Sequence, residues 1–169
     1  VAEIASEAVY DADVQVVSAN DEMARYVAEQ TVASVVAQRR RLPALDRAMR
    51  DGEWGAGVTI ESLHGASVGL VGLGTIGRYV LDHLASWDVD VSVYDPYIES
   101  EALSEWPFAS LSPLDEALDS DVVSLHASLT PETEGMIGAD EFAQLPDGAL
   151  FVNTARAGLV EEAAMLDEL

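Results

Sequence analysis

The segment VGLGTIG places glycines at 72, 74 and 77, and an aspartate, Asp95, follows eighteen residues after the last of them. This G-x-G-x-x-G spacing lets a chain turn tightly, bring bare backbone up to a diphosphate and pack a helix closely on a strand. The helix N-terminus then faces the anion. The chemistry needs a strand before the glycines and a helix after them. SVGLVG is a nearly continuous apolar run suited to a strand buried on both faces, and Ile76, Val80 and Leu84 recur every four residues beyond it. Asp95 closes a second strand that carries Val89, Val91 and Val93. A carboxylate there accepts hydrogen bonds from an adenosine ribose and repels a 2′-phosphate, so the expected cofactor is NAD rather than NADP. The alternative for Asp95 is a helix cap or turn former ahead of Pro96. Arg78, in the first turn of the helix, is either a charge near the phosphates or an ordinary surface arginine.

The elements that must position these residues alternate along the chain. Strands are expected over 121–127 and 148–155, separated by the helical stretches PLDEALDS and ADEFAQLP. Alternation of this kind predicts an α/β fold: a doubly wound parallel sheet, Rossmann-type, whose ligands bind outside the carboxyl ends of the strands. Upstream, Met23, Val27, Val32, Val35 and Val36 predict a long amphipathic N-terminal helix with Ser18 or Asn20 as its cap. Arg39, Arg40 and Arg41 close that helix at the negative end of its dipole, Pro43 breaks it, a short helix runs to Arg50, and 51–57 form a loop.

The 169 residues suffice for one globular domain. There are 31 acidic residues against 8 basic ones, all arginine, for a net charge of −23. Nucleic acid and anionic membrane are therefore poor partners. Self-repulsion of this size is screened at about 1 M salt, and the composition is like that of proteins from salt-loving organisms; an acidic surface kept for solubility is the alternative. Without cysteine, and with three histidines in no ligand spacing, no metal site is expected. No apolar run is long enough to span a membrane and the first residues lack the pattern of a signal peptide, so a cytoplasmic location is expected. The opening on Val1 and the helical AAMLDEL at the close give the expectation of a fragment.

GLVGLGTIGRYV, VYDPY, LHASLTPETEGMIG and ALFVNTARAGLVEE, in that order, resemble the cofactor domain of the D-isomer-specific 2-hydroxyacid dehydrogenases. DEMARYVAEQTVASVVAQRRRL is similar to the helix linking substrate and cofactor domains in that family. The resemblance implies residues 1–20 as a remnant of the substrate domain and 21–169 as the NAD-binding domain. It implies that Gly72, Gly74, Thr75, Ile76 and Gly77 hold the pyrophosphate side of NAD and that Asp95 holds the adenosine ribose. Ala127 and Thr133 fall along the cofactor cleft, with Thr154 and Ala155 near the nicotinamide. Arg156 matches the catalytic arginine that grips the carboxylate of a 2-keto acid and polarises its keto group, which suits a permanently charged fork. Ser128 and Ala157 stand where the family usually has Pro and Gly.

In the family the acid–base histidine and its carboxylate partner lie downstream of this motif, so the expectation is NAD binding with little turnover. His126 is read as structural, and His64 and His83 as surface residues. The resemblance also implies a homodimer, with 21–54 and Trp54 as a contact surface. The competing functional reading is a non-catalytic NAD-binding or dimerisation module.

Overall fold

A computed structural model describes residues 19–54 and 57–168; the proposed substrate-domain remnant therefore falls almost wholly outside the described residues, as does the expected cap Ser18. The first of the described elements, helix α1 (Asn20–Arg39), packs against helix α3 (Thr75–Leu84), and the short helix α2 (Leu42–Arg50) lies between them in sequence. Five strands follow: β1 (Ser67–Val71), β2 (Asp90–Tyr94), β3 (Ala109–Leu111), β4 (Val122–Leu125) and β5 (Leu150–Asn153). They make one all-parallel sheet in the order β3, β2, β1, β4, β5. The chain starts at the centre, winds out to one edge and then crosses to the other, so the winding reverses between β1 and β4. Open sheets bind ligands at that reversal.

The strand sequences explain the sheet. β1 and β4 have both faces covered, and every residue of VVSL and all but the first of SVGLV is buried. Val68, Leu70 and Val122 face one apolar layer with Val80, Leu81 and Leu84 of α3. Val71, Val123 and Leu125 face the other, with Leu118 of helix α4 (Leu114–Leu118), Phe142 of helix α5 (Ala139–Phe142) and Leu159, which precedes the last helix α6 (Glu162–Glu168). Both helices foreseen in PLDEALDS and ADEFAQLP form, at about one turn each.

Several expectations need correction. Strand β3 was not foreseen, because three residues between a 3₁₀ turn at Ser100–Leu103 and Pro113 carry too little pattern to read. Val89 is buried just ahead of β2 rather than within it. Asn20 is the first helical residue of α1, not its cap; Ala19 occupies the cap and makes no side-chain hydrogen bond there. The buried stripe of α1 is Ala24, Ala28, Thr31 and Val35, whereas Met23 is 56% exposed. Val32 and Val36 pack half-buried beside this stripe, and its small residues let α1 lie close against α3. The same contact is fastened at its edge by Arg25, whose Nε donates to the Tyr79 hydroxyl at 3.1 Å.

The three arginines close α1, and the chain reverses at Arg41, whose φ of 54° is left-handed; Pro43 sits in the first turn of α2, where its missing N–H costs nothing. Arg39 reaches forward instead of capping: its Nε donates to the Ser62 carbonyl at 2.9 Å and its guanidinium pairs with Glu61. Because Ala28 is fully buried, enlarging it to leucine is expected to lower unfolding free energy by about 1–3 kcal/mol. Met23→Gln is expected to stay within about 0.5 kcal/mol of the parent. Urea titration of both variants checks which face of α1 is the packed one.

Candidate functional site

At the reversal between β1 and β4 the turn after β1 is pressed against the chain leaving β4. Gly72 has φ 97°, and a Cβ built on it would lie 2.6 Å from the Ala127 nitrogen. A Cβ on Gly77 would lie 2.6 Å from the Gly72 carbonyl oxygen, so helix α3 starts hard against its own turn. These two glycines are therefore demanded by packing. Gly74 differs: its backbone is extended, and nothing in the protein lies within 4 Å of where its Cβ would be. It faces an open cleft of about 530 Å³. The packing of the chain leaves room there for a side chain, which is what a site built to admit a ligand against bare backbone requires.

The cleft has four walls. The start of α3 supplies Gly74, Thr75 and Ile76, with no acidic side chain in its first turn. The chain leaving β4 supplies His126 to Leu129, and the loop after β5 supplies Thr154, Ala155 and Arg156. The fourth wall, from α1, had been read only as a packing or contact surface; it brings Asp21, Met23, Ala24 and Val27. Arg156 and Asp21 are the charged side chains on these walls. Arg156 is exposed, and one guanidinium nitrogen donates to the Ala155 carbonyl at 2.9 Å.

Of the expected site residues, Gly74, Thr75, Ile76, Ala127, Thr154, Ala155 and Arg156 come together on the cleft. Gly72 and Gly77 lie behind it as spacers. Asp95 stands at the end of β2 and holds the glycine turn: its Oδ2 accepts from Leu73 N at 2.8 Å and its Oδ1 from Tyr97 N at 3.0 Å. Each oxygen retains a further lone pair. Thr133 is off the cleft walls; its hydroxyl donates to the Ser128 carbonyl at 2.6 Å and closes the loop after β4, which lacks the proline usual there. Arg78 turns away from the glycines, one nitrogen donating to Ala102 O and the guanidinium lying over the Trp106 ring. Ala157 sits in a right-handed 3₁₀ turn, Ala157–Leu159, so the site does not need glycine there.

Two contributors escaped the sequence reading. Asn153 braces the loop after β5, its Oδ1 accepting from Ala155 N and its Nδ2 donating to Arg156 O, both at 3.0 Å. A strand-terminal Asn followed by a sharp turn is the available signal for such a brace. Thr31, read as one more residue of a helix, bonds to Thr154 across the cleft's inner edge at 3.0 Å.

His126 is 9% exposed, with Nε2 2.9 Å from Ser124 Oγ and Nδ1 buried without a hydrogen-bond partner. Burial lowers its pKa to about 4, so the ring is neutral at pH 7. His64 and His83 are exposed, as expected.

A glycine turn with an open Gly74, a helix start without acidic side chains and a carboxylate at the end of the next strand define a dinucleotide-binding domain of the doubly wound class. Residues 32–169 match the family model described as D-isomer specific 2-hydroxyacid dehydrogenase, NAD binding domain. The chain is 35% identical over 157 residues to the D-3-phosphoglycerate dehydrogenase of Mycobacterium bovis, covering 92% of this chain and 30% of the relative. It is 35% identical over 145 residues to that of Archaeoglobus fulgidus, covering 84% and 27%. Among solved structures, D-lactate dehydrogenase from Escherichia coli superposes with a TM-score of 0.79 at 29% identity, over 86% of this chain and 46% of the other. NAD-dependent formate dehydrogenase from Staphylococcus aureus in complex with NAD gives 0.78 at 29%, over 86% and 44%. The chain belongs to the D-isomer specific 2-hydroxyacid dehydrogenase family, as its NAD-binding domain. It spans about a third of the length of the curated relatives it matches.

Two outcomes follow from this geometry. Gly74→Ala should leave stability within about 0.5 kcal/mol and weaken NAD binding at least about tenfold, read by urea unfolding beside calorimetric titration; unchanged affinity would place the dinucleotide elsewhere. For His126, the folded pKa lies below the unfolded value near 6.5, so between about pH 4 and 6.5 the unfolded chain holds the extra proton. Stability from this residue is therefore complete above that window and is lost as pH falls through it, up to about 3 kcal/mol. His126→Asn should flatten that part of the pH dependence, measured as the difference between parent and variant in high salt.

Proposed function

We propose that the protein carrying this domain interconverts a 2-hydroxy acid and its 2-keto acid with NAD as the hydride carrier. The observation that carries the reading is the position of Arg156, at the carboxyl end of β5 on the same cleft as Gly74, Thr75 and Ile76. An arginine is a fixed positive fork, able to hold a carboxylate through two parallel hydrogen bonds and, beside the keto oxygen, to stabilise charge that develops there. NAD, when bound, supplies or accepts the hydride. Backbone at Gly74 and the start of α3 would hold its diphosphate, and Asp95 would accept from a ribose hydroxyl while repelling a 2′-phosphate. Thr133, which stiffens the loop after β4, would act on the cofactor through Ser128 and Ala127.

The same reading extends to the surroundings. Leu42, Met49 and Trp54 are exposed on or just after α2, Trp54 by 90%, and support a homodimer contact through this region. The excess of acidic over basic residues supports a protein adapted to high salt, where roughly 3 Å Debye lengths at about 1 M remove most self-repulsion. Among the described residues no helix is long and apolar enough to cross a membrane, in keeping with work in the cytoplasm on a small-molecule acid.

The test is calorimetric titration of NAD and NADP in about 2 M KCl, with Asp95→Ala, beside turnover of 2-keto acids by the full-length protein and its Arg156→Gln variant. The reading expects NAD to bind more tightly than NADP, the preference to shrink in Asp95→Ala, and kcat/KM to fall at least about a hundredfold in Arg156→Gln, as loss of two charged hydrogen bonds predicts. NAD binding with unchanged turnover in Arg156→Gln would remove the arginine from the chemistry. NAD binding without turnover of any 2-keto acid would favour the non-catalytic module.

A further inference from the structure

Thr31 is 1% exposed in the middle of α1, and its hydroxyl donates to the Val27 carbonyl one turn back at 2.8 Å. That bond alone satisfies a threonine inside a helix. Yet Thr154 Oγ1, on the loop leaving β5, stands 3.0 Å from the same oxygen. A hydroxyl has one proton and two lone pairs. With the Thr31 proton committed to Val27, the proton between the two threonines is that of Thr154. What Thr154 Oγ1 offers to the cleft is then lone pairs only.

We infer that Thr31 is a positioning residue that makes Thr154 an acceptor-only group on the cleft wall, so that the ligand group meeting it is an N–H donor. This rests on the cofactor reading above. Under it, hydride transfer to a substrate anchored by Arg156 requires the nicotinamide ring beside the loop that carries Arg156, two residues beyond Thr154. The donor is then the carboxamide NH₂ of that ring. A carboxamide presents an oxygen on one side and NH₂ on the other, and an acceptor-only partner selects one of its two orientations. The same bond ties the arginine loop to α1, while Asn153 braces that loop from within at Ala155 and Arg156.

The experiment compares dissociation constants of NADH and of its 3-acetylpyridine analogue, which keeps the carbonyl oxygen but has no N–H, in the full-length protein and its Thr31→Val, Thr31→Ser and Thr154→Val variants, with a melting curve for each. The parent should hold NADH about three- to tenfold more tightly than the analogue, the worth of one hydrogen bond. Thr31→Val releases the Thr154 proton to donate to the acetyl oxygen, so the ratio should fall toward one. Thr31→Ser keeps the hydroxyl and should restore the parent ratio; Thr154→Val should abolish the preference. A ratio that stays at the parent value in Thr31→Val, with both dinucleotides weakened equally or only the melting temperature lowered, would overturn the inference and leave Thr31 as packing. A parent that binds neither dinucleotide would overturn the cofactor reading and this inference with it, before any variant is made.

Discussion

Three strand ends meet at one backbone contact, and the site depends on it. Gly72 N donates to the Tyr94 carbonyl at the end of β2, His126 N donates to the Val71 carbonyl at the end of β1, and the Gly72 α-carbon lies against Ala127 with no room for a side chain between them. Leu73 N is then held by the Asp95 carboxylate. β1, β2 and β4 are thus sewn together one residue beyond the sheet, and α3 starts in a fixed direction. Each of the bonds is ordinary in strength. Their joint effect is to leave Gly74 standing clear of every neighbour, facing the cleft.

Helix α1 turns that edge into a cleft. A sheet edge with one helix start gives a shelf; the first turns of α1 roof it with Ala24 and Val27, and the small residues along its buried face let it lie low enough to reach the loop after β5. The hydroxyls under this roof are paired, Thr31 with Thr154 and Ser124 with His126 Nε2, while the other ring nitrogen of His126 is buried without a partner. The arginine-bearing loop is therefore gripped from two directions, by a helix far back in the chain and by the asparagine immediately before it.

Much of this was legible in the amino-acid order. Period-two and continuous apolar runs mark β1, β2, β4 and β5, and the glycine spacing marks the turn that faces the cleft, because both signals arise from local geometry that the chain repeats whatever surrounds it. Strand β3 is too short to show a period. On α1 the valines Val32, Val35 and Val36 lie on the packed side as expected and Met23 does not, because hydrophobicity ranks methionine above alanine, whereas the distance to α3 is set by which residue is small. Thr31 and Asp21 carry no pattern at all: they join the site only because the fold lays α1 over strands more than a hundred residues later in the chain. The turn-forming role weighed for Asp95 is present ahead of the next loop, where Oδ1 accepts from Tyr97 N, and the same carboxylate also holds Leu73 N in the glycine turn, a contact between strand ends that sequence order does not display.

The arginines are distributed unevenly along the chain. Six of the eight fall between residues 25 and 50, and from Arg39 to Arg50 five arginines face Asp46 alone, so the end of α1 and α2 carry a local excess of positive charge on a body whose remainder is strongly acidic. Such a particle has a sizeable electric moment as well as a large net charge. An anion such as a dinucleotide then meets a repelling field from most directions and a weakened one over the end of α1 and α2. Screening of that repulsion by added salt would speed the encounter of an anion with such a surface, the reverse of the usual slowing of charge-steered encounter by salt.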